Sequence, residues 1–155
     1  MFRVSKETDY GILLLALMVK DPAFARVSAR ELANESGVPF PMVSKILKQL
    51  ARGGLLCSQR GPKGGYSLTR QAKRISVADV VTVLEGPLSI TECIGHPGDC
   101  RQEPNCGVRG NWMVINKVLL EALSSVSLVE MTRPIYSHQL VPLQALKTKG
   151  EASYP

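Results

Sequence analysis

The chain has 155 residues, 45% of them hydrophobic, which is room for one ordinary domain with an appendage. No run approaches the roughly 18 apolar residues that span a bilayer, so a membrane partner is not expected. The net charge of +6 is uneven: residues 1–75 hold 13 Lys and Arg against 5 Asp and Glu, a net of +8, whereas residues 76–155 hold 6 against 8, a net of −2. The basic half therefore suits a polyanion, because phosphate contacts supply most of the non-specific affinity for DNA.

Tyr10, Leu13, Leu14, Leu17 and Met18 fall on overlapping helical faces, so residues 6–20 are expected to form a first helix, ended by Asp21-Pro22. Ser28 stands three residues before Glu31, a capping-box pattern that opens a second helix over 29–36, and Gly37 closes it. The segment Pro41 to Arg52 opens with Pro in its first turn, where the missing N–H costs nothing. Its Val43, Ile46, Leu47 and Leu50 keep the i, i+3, i+4, i+7 spacing of a core-facing stripe. The opposite face carries Met42, Ser44, Lys45, Lys48, Gln49 and Arg52. Two short helices joined by a tight turn, the second with a polar and basic face, make a helix-turn-helix whose second helix suits a major groove. An ordinary helical hairpin is the competing reading.

Leu55 to Ser58 and Tyr66 to Thr69 read as two short strands around Gln59-Arg60-Gly61-Pro62-Lys63-Gly64-Gly65. After a helix-turn-helix, such a hairpin reads as a wing, with Arg60 and Lys63 at its tip placed for phosphates or a narrow minor groove. Ser76 is expected to cap a helix from Val77 to Leu84, which Glu85-Gly86-Pro87 ends.

Glu92 to Arg109 then reads ECIGHPGDCRQEPNCGVR and places Cys93, Cys100 and Cys106 in a loop of Gly, Pro, Asp and Asn. The spacing matches neither a CxxC zinc ribbon nor a CxxC redox site. From Asn111 to Leu128, Trp112, Ile115, Leu119, Leu123 and Val126 form an apolar stripe at helical spacing, longer than a small neighbour covers. A two-fold homodimer follows as the expectation. The remainder, 131–155, reads as a flexible tail.

Four cysteines without an export signal point to reduced thiols and a cytoplasmic protein. Cys57, in an apolar run, reads as a small buried hydrophobe. The three loop thiols suit an iron-sulfur cluster or zinc equally, His96 completing a tetrahedral set in the latter case. Thiol redox chemistry and purely structural cysteines are the other readings. No GxSxG, HExxH or phosphate-binding GxxxxGK[ST] pattern occurs, and catalysis is the poorer expectation. The fold class is thus mainly α with a small β-hairpin: a winged helix-turn-helix over 1–86, a cysteine-rich loop over 87–110 and a dimerisation helix over 111–130.

Several stretches together carry a family resemblance: Lys6 to Gly11, Val43 to Lys48, Arg60 to Leu68, Ser76 to Val81 with Glu85-Gly86, and the cysteine triad. Over residues 2–130 the chain resembles the IscR/NsrR family of winged-helix transcription regulators. Ile90 to Cys93 and Cys106 to Trp112 look most like regulators of the SUF iron-sulfur assembly system. The resemblance implies a homodimer on a palindromic operator in double-stranded DNA, with an iron-sulfur cluster on Cys93, Cys100 and Cys106, of 2Fe-2S rather than 4Fe-4S type, setting DNA affinity. Cluster supply, nitric oxide and oxidant are the signals such proteins detect.

Where IscR-like members place a histidine ligand, this chain has Arg109. The NsrR-like pattern instead points to Asp9 from the partner subunit as fourth ligand, with His96 second and Glu7 third. By the same resemblance Met42, Ser44 and Lys45 are base-facing and Arg60 approaches the minor groove, while Lys48 on the exposed helix face and Lys63 at the wing tip join the expected DNA surface. Further readings remain: a DNA-binding redox or nitric-oxide sensor, including one that senses through thiol oxidation or a protein partner with its cysteines unmetallated, and a zinc-stabilised interaction module or cluster carrier that never meets DNA.

Overall fold

A computed structural model describes residues 3–61 and 64–133. Helix α1 spans Lys6–Lys20, α2 Ala29–Ser36 and α3 Phe40–Arg52, followed by strands β1, Leu56–Gln59, and β2, Gly65–Leu68. Helix α4 is Val77–Glu85, α5 the single turn Glu92–Gly95, α6 Arg109–Ser125 and α7 the turn Leu128–Met131. Short 3-10 turns lie at Pro22–Ala25, Ala72–Arg74 and Glu103–Asn105. No helix among the described residues is long and apolar enough to cross a membrane.

The first three helices fall where their caps and periodicity put them. Ser28 Oγ accepts from the Glu31 amide while the Glu31 carboxylate accepts from the Ser28 amide, and Gly37 ends α2 in the left-handed region at φ 71°. Val43, Ile46, Leu47 and Leu50 all turn inward and are fully buried. They meet Leu14 and Leu15 of α1 and Leu32 of α2, and burying each such side chain is worth about 1.5–3 kcal/mol. Helix α1 also lies close on α4 because it carries Gly11 at the crossing: a Cβ there would stand 2.5 Å from Leu84 Cδ1.

The hairpin is antiparallel, pairing Leu56 with Leu68 and Gln59 with Gly65. Its strands sit one residue away from their sequence-predicted bounds. A bridge that alternation does not announce anchors it: Tyr66 exchanges both backbone hydrogen bonds with Val27, at 2.7 and 3.0 Å. That close approach needs Gly65, whose φ is 150° and where a Cβ would lie 2.7 Å from the Val27 carbonyl oxygen.

Two expectations are corrected. Cys57 is exposed, because the pleat that buries Leu56 turns the next side chain outward. The helix expected over 111–130 is broken: α6 ends at Ser125, and Ser127 starts α7 with its own capping box through Glu130. Val126 is therefore a helix-terminal residue in extended backbone, whose carbonyl accepts from the Val77 amide at 2.8 Å. The break lets Ser127 bridge Ser76 and carries Leu128 into the core of the DNA-binding unit. Of the tail expected from residue 131 onward, only Met131, Thr132 and Arg133 fall among the described residues.

Candidate nucleic-acid interface and cysteine loop

The exposed side of α3 lies opposite its buried stripe. Phe40, Pro41, Ser44, Lys45, Lys48 and Arg52 line a shallow concavity of about 420 Å³ there, with Gln49 at its edge. Lys45, Lys48 and Arg52 are exposed and Ser44 is half-buried. Met42, also expected to face bases, is half-buried and packed against the core and does not line this concavity. Arg60 stands exposed where β1 leaves the hairpin. Lys63 lies outside the described residues.

Lys45 is not free on this surface. Its Nζ stands 2.7 Å from Glu7 Oε2 of α1, while Glu7 Oε1 is buried without a hydrogen-bond partner among the described residues. Glu7, the third-ranked fourth ligand, thus has a different engagement. Asp9, two residues on, is exposed. Near them the α1 terminus is tied to the end of α4: Ser5 N–H donates to Glu85 Oε1 at 2.9 Å. Desolvation raises the Glu85 pKa, but hydrogen bonds from Thr8 and Ser5 outweigh it and hold the carboxyl below its ordinary value.

The cysteine loop leaves α4 at Gly86 and is pinned at both ends. At its start Asn116 of α6, only 9% exposed, donates from Nδ2 to the Leu88 carbonyl and accepts from the Ile90 amide, each at 3.1 Å. The side-chain amide completes two main-chain hydrogen bonds that would otherwise be lost on burial. At the far end Arg109 pairs with Glu103 at 2.9 Å, and Glu103 also accepts from the Gly98 amide at 2.7 Å. Arg109 thus ties this end of the loop to Glu103.

Cys93 is buried, with its Sγ 3.4 Å from Thr91 Oγ1, and Cys100 and Cys106 are half-buried. All are free thiols, as soft a donor set as a thiophilic group requires. Among the described residues no three His, Cys, Asp or Glu side chains are gathered closely enough to hold a metal ion. The donors therefore fit such a group in chemistry and in sharing one loop, while the loop leaves them apart. His96 is exposed.

Helix α6 keeps only a narrow strip against the body. Asn116 is its buried residue, flanked by the half-buried Leu119 and Leu123. Trp112 is 41% exposed, Ile115 45% and Val114 64%, with Met113, Val118 and Leu120 also open. The sequence stripe therefore splits: Leu119 and Leu123 face inward, Trp112 and Ile115 outward, and the exposed apolar surface is wider than the stripe.

Sequence reasoning misses Phe40, Arg30, Asn116 and the Glu7–Lys45 and Glu103–Arg109 pairs. Phe40 carries a signal, as a lone aromatic between two prolines; Asn116 and the Glu7–Lys45 pair depend on residues brought together from distant parts of the chain, and the Glu103–Arg109 pair lies within a loop whose irregular backbone has no periodicity to read.

Comparison with known proteins agrees with this architecture. The family model for Rrf2, described as iron-dependent transcriptional regulator, matches residues 4–134. The HTH-type transcriptional regulator IscR of Xenorhabdus nematophila is 30% identical over 131 residues, covering 84% of this chain and 79% of the relative. CymR, the global cysteine regulator of B. subtilis, is similar in structure with TM-score 0.64 and 26% identity, over 85% of this chain and 97% of that one. IscR of T. potens gives TM-score 0.62 and 27% identity, over 84% of this chain and 85% of that one. With a helix-turn-helix, a wing and a match across most of its length, the chain belongs to the Rrf2 family of DNA-binding, winged-helix transcriptional regulators, and it is not an enzyme.

Proposed function

We propose that this regulator works in the cytoplasm as a homodimer on a palindromic operator, and that an iron-sulfur cluster on Cys93, Cys100 and Cys106 sets its operator affinity. The observation that carries the reading is the position of the three free thiols, in one loop joined at its start to α4 of the DNA-binding unit and at its end to α6. Asp9 of the partner subunit is the fourth ligand in this reading, because Arg109 is engaged with Glu103 and Glu7 with Lys45. When bound, the cluster supplies a redox- and nitric-oxide-sensitive group. Genes for cluster assembly are the proposed targets, in keeping with the two relatives named IscR.

The protein's own part is mechanical. Asn116 and Arg109 hold the two ends of the loop, so a change that draws the thiols together pulls on α6 and on the Leu88–Ile90 segment after α4. The apolar surface of α6 supports the dimer, since Trp112, Met113, Val114, Ile115 and Val118 lie open in the single chain, and an exposed apolar patch of this kind marks an interaction surface.

A second reading, sensing by the thiols without a metal, is favoured by their ungathered placement and by the likeness to a protein titled global cysteine regulator. Operator titrations of loaded and metal-free protein separate the two. The first reading expects a ratio of affinities of about 5–150-fold, abolished by Cys106→Ala. Equal affinities, with a change on oxidation alone, favour the second.

A further inference from the structure

Phe40 is the first residue of the recognition helix α3 and is 47% exposed. It fills no gap in the core, where Val38 takes the inward position beside the turn. A single exposed apolar residue is ordinary on a protein surface. This one is set apart by how its position is fixed. Pro39 precedes it at φ −54° as the N-cap and Pro41 follows it, so the backbone on both sides is restricted before any partner arrives. The Arg30 guanidinium of α2 lies over its ring, 6.0 Å from the centroid. The ring also borders the concavity it shares with Ser44, Lys45 and Lys48.

We propose that Phe40 is a specificity-determining residue of this DNA-binding protein, its ring reading the C5-methyl group of a thymine in the major groove, with Arg30 holding the ring and meeting the flanking phosphate. The N-terminal residues of a recognition helix are those that approach base edges, while the helix before it crosses the backbone. A phenyl ring offers no hydrogen bond, and the thymine methyl is the apolar group that the major groove presents. The two prolines restrict the backbone that carries the ring, so less backbone freedom is lost when the contact forms.

The test is selection of binding sites from a randomised duplex library by the full-length protein, its Phe40→Ala variant and its Phe40→Leu variant. The wild type is expected to demand thymine at one position that Phe40→Ala accepts as any base and Phe40→Leu partly retains. Replacing that thymine by deoxyuridine, which removes only the methyl, should cost the wild type about fourfold in affinity, the worth of one buried carbon group, and Phe40→Ala nothing. Identical selected sites for wild type and Phe40→Ala, or equal losses on deoxyuridine replacement at every thymine, would overturn the assignment. Because Phe40 is outside the core, unfolding is not expected to obscure the result, and the Phe40→Leu variant checks it.

Discussion

Lys45 on the exposed face of α3 and Glu7 in the first turn of α1 form an ion pair of 2.7 Å, so one cation of the proposed DNA surface is already engaged by a carboxylate of the same chain. Its Glu7 partner is largely shielded while Lys45 remains exposed, which leaves the lysine free to exchange partners and the glutamate to face an uncompensated burial when it does. If Lys45 meets phosphates, Glu7 is expected to act as a brake on non-specific binding. Glu7→Gln should raise affinity for random duplexes and steepen the slope of log affinity against log salt by about 0.9, the contribution of one more phosphate contact. Binding titrations across a salt series read this directly, and an unchanged slope would show that Lys45 stays off the phosphates.

Acid should loosen the junction between α1 and α4. The Glu85 carboxyl is held below its ordinary value of 4.5 by bonds present only in the folded chain. Its contribution is accordingly complete above that value and is lost as pH falls through the depressed one. Glu85→Gln should flatten the acid limb of the stability curve below about pH 4.5 and change little at neutrality, as followed by urea unfolding at a series of pH values. An acid limb identical to that of the wild type would contradict the role of the Ser5–Glu85 bond.

The wing depends on Gly65. Gly65→Ala would set a Cβ against the Val27 carbonyl in a backbone region that only glycine adopts readily, and should cost about 1–3 kcal/mol in equilibrium unfolding. Operator binding should weaken further than that loss explains, because the displaced hairpin carries Arg60. A variant with native stability would show that the Val27–Tyr66 bridge relaxes freely.

The outer face of α6 is the proposed dimer surface. Ile115→Glu should convert a dimer into monomers in sedimentation velocity while leaving the circular dichroism unchanged, because Ile115 is exposed in the single chain. A charge placed there and tolerated in a dimer would move the interface elsewhere.

Much of this architecture is legible in the amino-acid sequence. Helices α1 to α3 announce themselves by caps and by an i, i+3, i+4, i+7 stripe, because each is decided by residues within a turn or two of one another. The cysteine triad and the wing are visible for the same reason. What escapes is whatever depends on partners distant along the chain. The Ser127-x-x-Glu130 capping box is a local signal for a new helix start, but the apolar stripe runs smoothly through Val126 and hides it, and the bridge from Ser127 to Ser76 depends on a distant partner. Nothing near Asn116 reveals that its amide will cap the chain at Leu88 and Ile90, 28 and 26 residues away. Cys57 misleads because its apolar neighbours outweigh the two-residue alternation of the strand. In the cysteine loop the donor types are plain and their arrangement is not, since the chain alone leaves the three thiols apart.

The cluster reading is tested most directly by anaerobic reconstitution of the full-length protein with iron and sulfide, followed by metal and acid-labile sulfide analysis and visible absorption. A coloured protein with iron and sulfide in equal amounts is the predicted result, the colour being lost in Cys93→Ala, Cys100→Ala and Cys106→Ala and weakened or made labile in Asp9→Ala. A colourless protein without iron or sulfide, or one that takes up only zinc, would contradict it.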